Sequence, residues 1–164
     1  GSFMPGLAVH AEGPTSTQRK MIEVCAAMGM ANLDGFDAIV EANMRNHAAY
    51  QAALAGISGV RLLDYDPAER NSHHYIVAEI GPDCPASRDA IVAALHAENV
   101  LARKYFWPGC HGMQPYRDLF PDAGSLLVKT RAVAEKVIVL PNCIGLPTSD
   151  ITRLCQVIKM VVTR

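Results

Sequence analysis

The chain has 164 residues, half of them hydrophobic and 19% charged, with a formal net charge of −1. A chain of this length buries roughly two-thirds of its unfolded surface, enough for one core, and it is too apolar to stay disordered. The interspersed charge excludes the basic stripe of a nucleic-acid binder, and no apolar run reaches the length of a membrane span.

Gly1-Ser2-Phe3 ahead of Met4 reads as a cloning remnant. Residues 1–16 are expected to be that remnant and a flexible leader, and residues 17–164 the folded domain. The leader lacks the charged-then-apolar layout of a signal peptide, and Met4 reads as a plausible initiator. Five cysteines, odd in number and without a C-x-x-C, argue against a disulfide framework and for a reducing cytoplasm.

Thr15, Ser16 and Thr17 offer N-caps to a helix carrying Met21, Val24, Cys25 and Met28 at helical spacing. A break near Gly29 to Asn32 precedes a long second helix, with Phe36, Ile39, Val40, Ala42, Tyr50 and Leu54 on its apolar positions. It is expected to end at Gly56 or before Gly59. "VRLLDYD" reads as a short strand. "HYIVAEI" (74–80) is the best strand in the chain, closed by Gly81-Pro82. Ser87 caps a helix over "RDAIVAALHAEN" that stops at Asn99, and "VLARKYF" reads as a returning strand. After a loop rich in glycine and proline, "GSLLVKTRAVAEKV" reads as a helix and "IVLP" as a brief strand. The last helix, capped by Thr148 or Ser149, buries Ile151, Leu154, Cys155, Ile158 and Val161/Val162. The order predicts an α+β fold: two N-terminal helices, one long, then a small mixed or antiparallel sheet of three to four strands covered by helices.

Two adjacent pairs, His73-His74 and Cys110-His111, raise the question of a metal. Neighbouring residues rarely ligate one ion together, so no metal is expected, and His74 reads as a hydrogen-bonded core or edge histidine. Cys25 and Cys155 fall on apolar helix faces and read as buried, inert thiols.

Five segments, "RKMIEVCAAMGMANLDGF", "RNHAAYQAAL", "SHHYIVAEI", "LHAENVLARKYFWPGCHGMQPYRDLF" and "AEKVIVLPNCIGLPTSDITRLCQVI", follow one another as in the nucleotide-sugar aminotransferases of the DegT/DnrJ/StrS group. The resemblance runs from about Gln18 to Val162 and covers that family's C-terminal, small domain. It implies a fold-type-I relative whose intact members use pyridoxal phosphate. The family's large domain carries the ring-stacking residue, the aspartate on the pyridine nitrogen and the cofactor-holding lysine. None of Lys20, Lys104, Lys129, Lys136 and Lys159 stands in that lysine's context. No cofactor is therefore expected for this chain alone.

The same resemblance supplies candidate site residues. "QRKM" matches N-x-[RK]-M, whose asparagine reaches the cofactor phosphate of a neighbouring subunit; here Gln18 stands there, one methylene longer. Lys20 matches a basic position that faces phosphate or nucleotide-sugar groups, although Arg19 and Lys20 read equally well as surface charges of a first helical turn. Tyr105, Trp107 and His111 match a loop that borders the substrate sugar, often from the partner subunit. Alternation along a strand would instead send some of these rings inward, with Phe106 in the core.

The functional expectation is a truncated aminotransferase-like domain, not catalytic alone, that mediates homodimerisation through its first helices and contributes to a substrate and cofactor lip. The alternatives are a stand-alone nucleotide-sugar-binding or assembly module, or half of a split enzyme that pairs with a separately encoded large domain. No nucleic-acid or membrane partner is expected.

Overall fold

The computed structural model describes residues 22–163. The chain divides into two compact units at Asp37/Ala38. Among the described residues of the first unit, α1 (Glu23–Asp34) has no buried side chain. Ile22, Val24, Met28, Met30 and Leu33 are each more than 60% exposed. Cys25 is exposed too, so it is not the buried thiol its periodicity predicts. The break between helices falls at Gly35, after α1, rather than at Gly29. Then α2 runs over Phe36–Leu54.

The second unit is α+β. Its three strands, β1 (Val60–Leu62), β2 (Ile76–Ile80) and β3 (Val137–Leu140), form an antiparallel sheet in that order. Val60 pairs with Ile80, and Ile76 with Leu140. Alternation puts Ile76, Ala78 and Ile80 on the buried face. Two helices supply the opposite wall: Ile91 and Leu95 from α3 (Arg88–Ala97), and Ile151, Leu154, Cys155 and Ile158 from α7 (Thr148–Val162). Tyr50 and Leu54 of α2 complete the same core. Ser87 caps α3 as its sequence predicts, accepting from the Ala90 N–H at 3.1 Å. Thr148 is already helical, so Pro147 holds the cap position of α7 without a side-chain bond.

Entry to β1 depends on Gly59. At φ +70° it accepts the Gly81 N–H on its carbonyl at 2.7 Å, and a Cβ there would come within 2.2 Å of the Cys84 nitrogen.

The expected fourth strand is reduced to one bridge, Arg103 opposite Val139. Beyond it the Trp107 N–H turns back to the Lys104 carbonyl at 2.7 Å, and the Gly109 N–H to the Phe106 carbonyl. Those local turns use donors a strand would spend on a neighbour. Phe106 is 62% exposed rather than core, its ring stacked on Tyr105 at 4.9 Å. After a short turn at Cys110–Gly112 come α4 (Tyr116–Leu119), α5 (Ala123–Leu126) and α6 (Val128–Ala134). The single helix expected over the last two is interrupted at Leu127, whose ψ of +47° is not helical. No described helix is long and apolar enough to cross a membrane.

Candidate functional site

A polar network on α2 fixes two loops at one end of the sheet. Asn46, fully buried, donates its amide to Asn142 Oδ1 and to the Cys143 carbonyl, both at 2.9 Å. Asn142 in turn donates to the carbonyls of His73 and His74, at 2.9 and 3.2 Å. Asn43 donates to Ser72 O at 3.0 Å and Tyr50 to Pro141 O at 2.9 Å. Buried amides and hydroxyls persist only when paired, so these bonds set where residues 72–75 and 141–143 lie.

The two loops and the chain after Arg103 enclose a cleft of about 310 Å³, walled by Tyr75, Tyr105, Arg103, His74 and Asn142. The rings of Tyr75 and Tyr105 stand edge to face, centroids 6.5 Å apart. The Arg103 guanidinium lies 5.3 Å from the Tyr105 centroid and donates to its hydroxyl. The Arg103 backbone is fixed in both directions, its N–H on Val139 O at 2.9 Å and its carbonyl accepting from Val139 at 2.8 Å. None of the described residues lining this cleft is acidic.

The other expected lip residues face elsewhere. Trp107 covers a buried cation: the Arg88 guanidinium sits 5.2 Å from its ring centroid. Arg88 is 6% exposed and donates to Ala134 O at 2.8 Å and to Asp89 at 2.6 Å. Desolvation pushes the Asp89 carboxyl up, but the hydrogen bonds and charges of Arg88 and Lys104 together outweigh it and hold the group below its ordinary value. The His111 imidazole packs against Gly109, where φ is +89° and a Cβ would come within 2.8 Å of the ring. Thus Tyr105 reaches the cleft, while Trp107 and His111 have other neighbours. Gln18 and Lys20 lie outside the described residues. Sequence reasoning did not single out Arg103, Tyr75 or Asn142. Their signal is only that a lone bridge and a carboxamide-rich helix face bring them together.

A second groove, about 690 Å³, opens beside α2 around His47, Tyr65 and His73. The three rings contact one another, with Tyr65 and His73 centroids 4.4 Å apart. His47 Nε2 donates to Leu63 O at 3.1 Å, whereas the buried His73 Nδ1 has no hydrogen-bond partner among the described residues. Burial, and then the neighbouring His47, hold the His73 pKa below its ordinary value. His74, in contrast, is exposed and edge-on to Tyr75, not a core residue. Among the described residues, no group of three or more His, Cys, Asp or Glu side chains is placed to hold a metal.

A lysine that holds an aldehyde cofactor works from a water-poor pocket beside its partners. The described lysines do not fit that role. Lys104 lies 3.3 Å from Asp89, and Lys129, Lys136 and Lys159 are exposed.

Comparison with known proteins matches residues 8–159 to the family described as DegT/DnrJ/EryC1/StrS aminotransferases. A dTDP-4-amino-4,6-dideoxy-D-glucose transaminase of Shigella dysenteriae is 29% identical over 122 residues, 74% of this chain and 33% of the relative. GDP-perosamine synthase of Vibrio cholerae is 25% identical over 142 residues, 85% of this chain and 37% of the relative. Among solved structures, DesI with its TDP-sugar product superposes with a TM-score of 0.78 at 37% identity, covering 88% of this chain and 36% of that one. A Streptococcus pneumoniae neighbour solved in PMP and PLP forms is 20% identical, and its PMP form gives a TM-score of 0.77 over 88% of this chain and 36% of that one. The chain spans about a third of the length of the curated relatives it matches.

Proposed function

Because the chain belongs to the DegT/DnrJ/EryC1/StrS aminotransferase family, whose members depend on pyridoxal phosphate, we propose that it forms the small-domain part of a nucleotide-sugar aminotransferase. In this reading these 164 residues do not transaminate by themselves. They mediate dimerisation and supply one lip of a site whose catalytic lysine comes from a large domain. The observation that carries it is the share: 74–85% of this chain aligns, but to only 33–37% of each relative. The described lysines support the same reading, Lys104 being paired with Asp89 and Lys129, Lys136 and Lys159 exposed.

Dimerisation is assigned to α1. Ile22, Val24, Met28, Met30 and Leu33, five large apolar side chains of this segment, are exposed, and exposed apolar surface of this extent favours association. Tyr105 is the lip residue nearest the ligand, with Trp107 and His111 supporting the same loop from behind; Gln18 and Lys20 are assigned to cofactor phosphate and substrate from the family resemblance alone.

The test is incubation with pyridoxal phosphate, borohydride reduction and peptide mass mapping, with sedimentation velocity on the same sample. The expected result is scattered, substoichiometric labelling on a dimer. A single stoichiometric adduct on one lysine overturns the non-catalytic reading, and a monomer at micromolar concentration overturns the dimer.

A further inference from the structure

The segment from Ser72 to Tyr75 is held to the rest of the unit mainly through its backbone. Asn71 Oδ1 accepts the His73 N–H at 2.9 Å, and Asn142 donates to the His73 carbonyl at 2.9 Å. Asn43 donates to the Ser72 carbonyl, and the Tyr65 hydroxyl to that of Tyr75. His73 itself stands at φ +48°, a left-handed conformation that persists where the surroundings hold it. Its ring is the one side chain of this segment that packs against both His47 of α2 and Tyr65.

Those ring contacts suit neutral imidazoles. A carbonyl only accepts, so His47 Nε2 carries the proton in its bond to Leu63 O, on a residue that is 8% exposed. The His47 and His73 centroids lie 5.3 Å apart. A charged His73 carries an N–H on both ring nitrogens. On the buried Nδ1 that N–H meets no acceptor among the described residues, and the charge sits beside a second imidazole. Tyr65 offers no compensating charge, since burial pushes its phenol up, and the loop after β3 presents the neutral Asn142 amide. The adjoining groove differs: Asp64, Asp66 and Glu69 line it together with Arg70.

We propose that His73 is a proton-operated latch on this segment. Neutral, its ring packs on His47 and Tyr65 and keeps residues 72–75 closed. Protonated, it leaves the ring cluster for the carboxylate-lined groove and frees the segment. The effect reaches Tyr75, which stands edge to face with Tyr105 across the cleft. Acidification therefore loosens one wall of that cleft while the sheet and α7 stay folded. The latch is independent of what the cleft binds.

An NMR titration of the 13C,15N-labelled chain from about pH 7.5 to pH 5 tests this, following each histidine ring and the backbone amides together. The amides of residues 72–75 and Tyr65 are expected to move on one curve with the His73 ring, at a midpoint below 6.5. Amides of β2 and α7 are expected to hold their positions. H47Q removes the neighbouring imidazole and keeps a donor for Leu63 O. It is expected to raise the His73 midpoint towards 6.5 and to shrink the loop changes, because less is gained by opening. H73N is expected to abolish them. If the loop amides stay fixed while His73 titrates, follow another histidine, or move unchanged in either variant, the latch is wrong. It is equally wrong if the whole spectrum shifts together, since acid then unfolds the domain rather than the segment.

Discussion

Asn46 and Asn142, 96 residues apart in sequence, share an amide hydrogen bond of 2.9 Å that ties α2 to the loop after β3. Asn142 passes the connection on to the carbonyls of His73 and His74. Removing it strands two carbonyls and half of a buried carboxamide. N142A is expected to cost about 1–3 kcal/mol. That is a fall in Tm of several degrees for a domain this size, read by urea denaturation with an unchanged m-value. Stability within half a kilocalorie (about 0.5 kcal/mol, the scatter of a surface change) would mean the network does not hold the loops.

Tyr50 is fully buried, and desolvation together with nearby Cys155 and Cys143 pushes its phenol well above the ordinary value of 10.0. In alkaline spectrophotometric titration one tyrosine of the five is expected to stay protonated until the fold opens. The unfolded chain ionises first, so this group's contribution to stability is lost as pH rises past its unfolded value. Y50F, which leaves Pro141 O without its donor, is expected to lose about 1 kcal/mol and the delayed titration step.

His73 acts at the other end of the scale. Its pKa is lowered by burial and by His47, so on acidification the unfolded state binds the proton first. Stability from this group is complete above the ordinary histidine value of 6.5 and drains away below it. His47 and Tyr65 contact the ring, and Asp64, Asp66 and Glu69 line the same groove. At φ +48°, asparagine is a tolerated replacement. H73N is expected to flatten the stability profile between pH 7 and pH 5, measured by denaturant midpoints; an unchanged slope would assign the acid sensitivity elsewhere.

The cysteines offer a chemical map. Cys25, Cys110 and Cys143 are exposed, while burial pushes the Cys155 thiol up to about 12. Iodoacetamide at pH 8 is expected to modify the exposed three first and Cys155 only after denaturation, as the thiolate is the nucleophile. Time-resolved intact mass reads this directly, and early labelling of Cys155 would mean that the α7 core opens readily.

Much of the second unit was legible before any coordinates. The stripe Ile151, Leu154, Cys155, Ile158 repeats at helical spacing, Ser87 announces its helix, and β2 alternates cleanly, because periodicity and capping are local properties. Cys25 misled for the complementary reason: spacing tells which side chains share a face, not whether anything covers it. The end of "VLARKYF", from Lys104 to Phe106, was misread as strand because a tight turn, closed by the Trp107 N–H on the Lys104 carbonyl, takes its place, and side-chain composition carries no record of that choice. Arg103, Tyr75 and Asn142 escaped notice since their association exists only through pairings between distant segments.

Trp107 lies over the Arg88 cation, so the aromatic loop is moored to the start of α3 by charge as well as by packing. A change at residue 88 that kept its bulk but erased its charge would loosen the loop without altering a single residue in it. In the function proposed above, ligand recognition by this loop can therefore drift through substitutions on a helix that no ligand touches.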